Sequence, residues 1–143
     1  MTSLEHRIAG GIGADEPYWD GLQAGEFRLP RCAGCGAWTW PANWRCGACG
    51  SWDFEWVGME PRGVVYSWTR CWGAFDRTGE RAADVPYVVL LVEVEGAGRT
   101  RVMGILDGDD TRLRVGARTT GVVRPPSPKS LGYPSVVWVL EDD

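Results

Sequence analysis

Apolar and polar positions in the second half of the chain alternate in short runs, broken by glycine, proline and aspartate. This texture predicts strands over Val64 to Trp72, Tyr87 to Glu95, Arg99 to Leu106, Leu113 to Val123 and Ser135 to Leu140, all rich in valine, threonine and aromatics. Gly73 to Asp84, Gly96 to Gly98, Asp107 to Asp110 and the proline-rich Arg124 to Pro134 carry turn chemistry, so antiparallel connections are expected. No helical period interrupts this half. Five strands hide their edges best by closing, which favours a small closed or partly closed barrel over a sandwich, with an OB-like barrel as the leading form.

The first half reads differently. Residues 1–14 are glycine-rich and aperiodic, which predicts a loose arm. Asp15-Glu16-Pro17 then offers an N-cap with proline in the first turn, Tyr18, Trp19 and Leu22 fall on one helical face, and Gly25 supplies the stop. A short helix at 16–24 follows. Residues 31–52 hold a near-repeat, with Cys32-Ala-Gly-Cys35-Gly36-Ala-Trp38 answered by Cys46-Gly-Ala-Cys49-Gly50-Ser-Trp52. The expected organisation is mainly β: an arm and helix over 1–30, a ribbon over 31–57 and a five-stranded barrel over 58–143.

The repeat carries the strongest chemistry in the chain. Two Cys-x2-Cys pairs separated by ten residues let two tight knuckles face one another and set four sulfurs around a tetrahedral ion. Gly36 and Gly50 follow the second cysteine of each pair, where a positive φ turns the chain under the metal. A disulfide reading requires oxidation of a chain with no secretory signal, and a redox dithiol needs only one pair. Cys32, Cys35, Cys46 and Cys49 are therefore read as ligands, with zinc expected and iron the competing occupant of the same thiolates. Four protein ligands leave no open position for water, so the role is structural.

The rest of the composition narrows the function. A formal net charge of −4 opposes nucleic-acid binding, although nearly all the cations are arginines able to pair with single phosphates. The first residues lack a basic start and a long apolar run, and no stretch approaches the roughly 20 apolar residues that span a bilayer, so a cytoplasmic, non-membrane protein is expected. The only histidine is His6, in the arm, which counts against autonomous catalysis. Cys71 reads as a small core hydrophobe, Asp107, Asp109 and Asp110 as a solvated turn, and Gly10 to Gly13 as linker. Trp38, Trp40, Trp44, Trp52 and Trp56 are too many for the ribbon to bury alone, so they close the joint to helix and barrel, anchor a partner, or both.

Several motifs together resemble a known family. Tyr18-Trp19-Asp-Gly-Leu22, Leu29-Pro-Arg-Cys32, Cys35-Gly36, Trp40-Pro41, Cys46 to Cys49-Gly50, Gly63-Val-Val-Tyr66-Ser67 and Pro86-Tyr87-Val88 are similar, in order and spacing, to the zinc-ribbon OB-fold proteins catalogued as domain of unknown function thirty-five. The resemblance implies an N-terminal helix, a rubredoxin-like ribbon and an OB barrel. It also implies a subunit of a hetero-oligomer that works beside an acyl-CoA enzyme of the thiolase superfamily, bridging subunits or helping to hold the thioester. The partner would carry the chemistry, whether thiolysis, Claisen condensation or retro-aldol cleavage of a steroid side-chain CoA thioester.

Arg70, Trp72 and Arg77, on the segment joining the first two barrel strands, are the expected acyl-CoA contacts: arginines for phosphate, a flat indole for adenine or for the partner. Asp76, Glu80 and Asp84 nearly balance the arginines there, so a merely solvated loop is the competing reading. An OB-type nucleic-acid binder and a rubredoxin-like electron carrier are the alternative functions. The first needs a basic groove and the second needs iron.

Overall fold

The computed structural model describes residues 13–74 and 76–142, with the backbone alone for residues 76–78. Most of the expected arm, His6 included, lies outside the described residues, as does most of the Gly10 to Gly13 linker.

Helix α1 (Glu16–Gln23) forms where expected, with Pro17 in its first turn and Gly25, at φ +81°, just beyond its end. Asp15 holds the N-cap position, but its side chain does not cap: it accepts a 3.0 Å hydrogen bond from the indole nitrogen of Trp19. That bond fixes Trp19 on the rim while Tyr18 and Leu22, one turn apart, are buried.

Strands β1 (Arg28–Cys32) and β2 (Phe54–Gly58) pair antiparallel and form the stem of the ribbon, with Cys32 opposite Phe54 at its tip. The hydrophobic pattern does not announce this pair, because β1 has only five residues, two of them arginine and one proline.

The remaining strands are β3 (Arg62–Cys71), β4 (Tyr87–Val94), β5 (Arg101–Ile105), β6 (Arg118–Arg124) and β7 (Ser135–Leu140), in the order β5-β4-β3-β6-β7. All ladders are antiparallel, as expected. Strand β6 begins at Arg118 rather than Leu113, because residues 113–117 fold as turns: Leu113 N–H donates to the Asp110 carbonyl and Ala117 N–H to that of Arg114. Closure is partial. The outer strands meet at the parallel bridge of Leu106 with Trp138, where Asp107 N–H donates to the Trp138 carbonyl at 2.7 Å.

A single core joins the parts. Val88, Leu90, Val92 and Val94 alternate inward along β4 and pack with Trp138, Leu29, Phe27, Tyr18 and Leu22. Phe27 from the stem meets Trp138 of β7 edge-on, with ring centroids 6.5 Å apart. Burial of each such side chain contributes about 1.5–3 kcal/mol, so ribbon stem, helix and barrel stabilise one another. Trp38, Trp40 and Trp56 pack against this core, whereas Trp44 and Trp52 are exposed.

Candidate metal centre

The near-repeat becomes two matching turns. Gly36 N–H donates to the Cys32 carbonyl and Gly50 N–H to that of Cys46, each at 2.9 Å. Cys32 N–H reaches the Ala37 carbonyl and Cys46 N–H that of Ser51, each at 2.8 Å. Both glycines sit at φ +79°, the left-handed conformation expected of them.

The sulfurs converge. Cys32 Sγ lies 3.6 Å from Cys49 Sγ, Cys35 Sγ lies 3.7 Å from Cys46 Sγ, and all four fall within 4.8 Å of one another. A tetrahedron with zinc–sulfur bonds of about 2.3 Å has edges of about 3.8 Å, so the spacing fits a tetrathiolate zinc site. Cys32 and Cys46 are buried, while Cys35 and Cys49 face outward. Two of the four thiols, the buried pair, are favoured as anions. The backbone N–H of Cys35, aided by that of Gly34, lowers the Cys32 thiol to about 6 against the opposing effect of burial. Backbone N–H groups of Cys49 and Ala48 likewise lower Cys46, the latter standing 3.4 Å from its sulfur. The N–H of Ser51 favours the Cys49 thiolate, yet the crowding sulfurs of Cys32 and Cys35 outweigh it and raise Cys49 to about 11. Cys32, Cys35, Cys46 and Cys49 would hold a divalent cation, which would relieve that repulsion and keep all four as thiolates.

One matching pair of residues escaped the sequence reading. Arg31 and Arg45 immediately precede the first cysteine of each knuckle, so the full repeat is Arg-Cys-x2-Cys-Gly-x-Trp. Arg31 Nε donates to the Gly36 carbonyl at 3.3 Å, and its guanidinium lies 5.8 Å from the centre of the Trp38 ring. Arg45 Nε donates to the Gly50 carbonyl at 3.0 Å and lies 5.7 Å from that of Trp52. Extending the repeat by one residue on its N-terminal side would have found both.

Arg70 stands near the end of β3, where its Nη2 donates to Asp110 Oδ2 at 2.8 Å. Trp72 follows the strand and is 73% exposed. Arg77 belongs to the 3₁₀ segment Asp76–Asp84, but its side chain lies outside the described residues. Cys71 is half-buried opposite Tyr87, rather than fully enclosed.

The three aspartates of the Asp107 to Asp110 turn diverge to separate partners. Asp107 takes Arg124 at 3.0 Å, Asp110 takes Arg70, and Asp109 accepts from the hydroxyl and N–H of Thr111, which hold its carboxyl below the usual range. Among the described residues, the four cysteines are the one group of such side chains placed to hold a metal.

Beside this turn a cleft of about 470 Å³ opens between Tyr87, Leu106, Asp107, Arg124 and Lys129. Lys129 Nζ contacts both Asp84 carboxylate oxygens, at 2.8 and 2.7 Å, and Arg81 lies over Tyr87.

A rubredoxin-like four-cysteine ribbon stemming from a partly closed five-stranded barrel defines a zinc-ribbon OB-fold protein. Two family profiles divide the chain between them: the rubredoxin-like zinc ribbon domain of ChsH2 matches residues 19–55, and the C-terminal OB-fold domain of ChsH2 matches residues 56–124. The chain belongs to this ChsH2 family. Among solved structures it is similar to a chain of the Ltp2-ChsH2(DUF35) aldolase, at 24% identity over 94% of this chain and 98% of that one, with a TM-score of 0.76. A protein of unknown function from the DUF35 family of Sulfolobus solfataricus has 18% identity over 97% and 93% of the two chains, with a TM-score of 0.61. Both likenesses bear on the fold. No curated protein matches.

Proposed function

We propose that this protein is a zinc-dependent accessory subunit that joins a thiolase-fold enzyme and helps to hold its acyl-CoA substrate for making or breaking a carbon–carbon bond. The observation carrying the proposal is the near full-length correspondence of ribbon and barrel with a chain of an aldolase named for two components, Ltp2 and ChsH2. The residue chemistry is consistent with an accessory role. No histidine occurs among the described residues, and the four thiols placed together have the spacing of a closed structural site rather than an open catalytic one.

Tyr66, Trp68 and Trp72 on and beyond β3, with Trp52 on the ribbon, expose large aromatic surface of the kind that anchors protein interfaces. Arg70, Trp72 and Arg77 are the residues proposed to approach the CoA portion. The nucleic-acid alternative is weakened by the charges: Arg62, Arg70, Arg112, Arg118, Arg124 and Lys129 each pair with a carboxylate. They do not form an open basic groove.

Co-expression with the thiolase-fold protein encoded nearest to this gene tests the proposal. A stable complex that turns over an acyl-CoA, with the isolated chain inert, is the expected result. Turnover by the chain alone, or failure of the two proteins to associate when both are folded, would overturn it.

A further inference from the structure

Each knuckle places an arginine in the same three relations. The arginine directly precedes a ligand cysteine in sequence, its Nε donates to the carbonyl of the glycine that closes the knuckle, and its guanidinium lies near a tryptophan ring. The fit is close: a Cβ at Gly36 would stand 3.3 Å from Arg31 Nη2, and one at Gly50 would stand 3.2 Å from Arg45 Nη2. Both glycines are required by their φ, and each has the end of an arginine packed beside it. A solvated charge has no reason to recur with the same bond, the same ring and the same neighbour.

The charge arithmetic gives these residues a purpose. A divalent zinc with four thiolates carries a net charge of −2, and two guanidiniums cancel it. Arg31 also approaches Glu55, at 3.7 Å, but both side chains are about half exposed there and the contact is screened. The carbonyl bonds and cation–π attraction to Trp38 and Trp52 hold each guanidinium beside the glycine that closes its knuckle. The Nε bonds fix the two glycine carbonyls, and in the second knuckle the Gly50 carbonyl shares its peptide with the Ser51 N–H that faces the Cys49 sulfur.

We propose that Arg31 and Arg45 are paired positioning residues that retain the metal, by neutralising the tetrathiolate and locking both knuckles closed. The inference rests on the four-cysteine zinc site and is tested with the full-length chain. Loading with cobalt comes first, because a tetrathiolate cobalt site has intense thiolate-to-metal absorption. Zinc transfer to a chromophoric chelator is then timed for the unmodified chain, for Arg31→Gln with Arg45→Gln, and for Arg31→Lys with Arg45→Lys.

The glutamine pair is expected to release zinc on the order of 10- to 100-fold faster, the usual effect of losing partners around metal ligands. The lysine pair, which keeps charge but loses the flat fork, is expected to fall between. Raising the salt should narrow the gap between the two variants, which a purely steric role would not produce. Unchanged release from a glutamine pair that retains the cobalt absorption would overturn the role of the arginines. Absence of that absorption in the unmodified chain would overturn the metal site, and this inference with it.

Discussion

Arg70 and Asp110 face each other across the gap between the end of β3 and the turn before β6, joined by a 2.8 Å charge-assisted hydrogen bond. The arginine proposed to meet CoA is thus already partnered, and any phosphate must displace a carboxylate to reach it. An exposed pair of this kind contributes about 0–1 kcal/mol, so the carboxylate holds the guanidinium only weakly against a competing phosphate. Asp110→Asn is expected to tighten acyl-CoA binding by the complex, and Arg70→Ala to weaken it by roughly tenfold or more. Equilibrium titration at matched ionic strength decides; identical affinities in all three proteins would remove Arg70 from the site.

Removal of the metal should be felt beyond the ribbon. Leu29 and Cys32 share β1, and Leu29 packs in the same core as Trp138, so a ribbon that melts uncovers part of the barrel. One zinc per chain is expected by elemental analysis. Cys35→Ser or Cys49→Ser should lower that content and the melting temperature together, with loss of near-ultraviolet tryptophan signal. Substoichiometric zinc in the unmodified chain, with no iron in its place, would contradict the site.

The barrel has a point that tolerates no added atom. A Cβ at Gly104 would lie 2.6 Å from Trp138 Nε1 and 2.7 Å from the Val136 carbonyl, both in the enclosed interior. Gly104→Ala should therefore destabilise by about 1–3 kcal/mol, the range for overpacking, with chemical denaturation as the measure. Gly73→Ala, with nothing within 4 Å, should change stability little.

Glu141 ties the chain's last strand to two others. It accepts from the Thr120 hydroxyl at 2.7 Å, from Arg62 at 3.2 Å and from Arg118 at 3.3 Å. The Thr120 bond first, then that of Arg62, holds its carboxyl below the ordinary value. The sign follows. Its contribution to stability is complete above the unfolded carboxyl value of about 4.3 and is lost as pH falls below that toward the folded value. Glu141→Gln should lower stability at neutral pH and approach the unmodified chain in acid. Parallel curves at all pH values would exclude this linkage.

The cysteine spacing and the glycines made the metal centre legible, since both are local in sequence and each has one geometric use. The five barrel strands were legible for the same reason, with β4 showing a clean alternation from Tyr87 to Val94. Less local features were not. The stem β1–β2 depends on pairing between residues far apart in sequence, and Arg28 and Arg31 obscure its apolar face. The late start of β6 is set by Gly116 N–H, which donates to the Val65 carbonyl and so commits the preceding residues to a turn. Arg70 read as an open cation because nothing in its own segment revealed Asp110, forty residues away.

Lys129, tied to Asp84 beside the cleft, is the chain's single lysine among its fifteen cationic residues. Reagents that acylate or cross-link side-chain amines therefore have one address in the described chain, and it lies at that cleft. A neighbour captured through it is located without any ambiguity of mapping, whereas the arginine surface stays silent to the same chemistry. A lysine-specific protease likewise has one internal cut, after Lys129, which frees β7 and its buried Trp138 as a single fragment. Retention of that fragment by the cut protein is a direct readout of whether the barrel's last strand is in place.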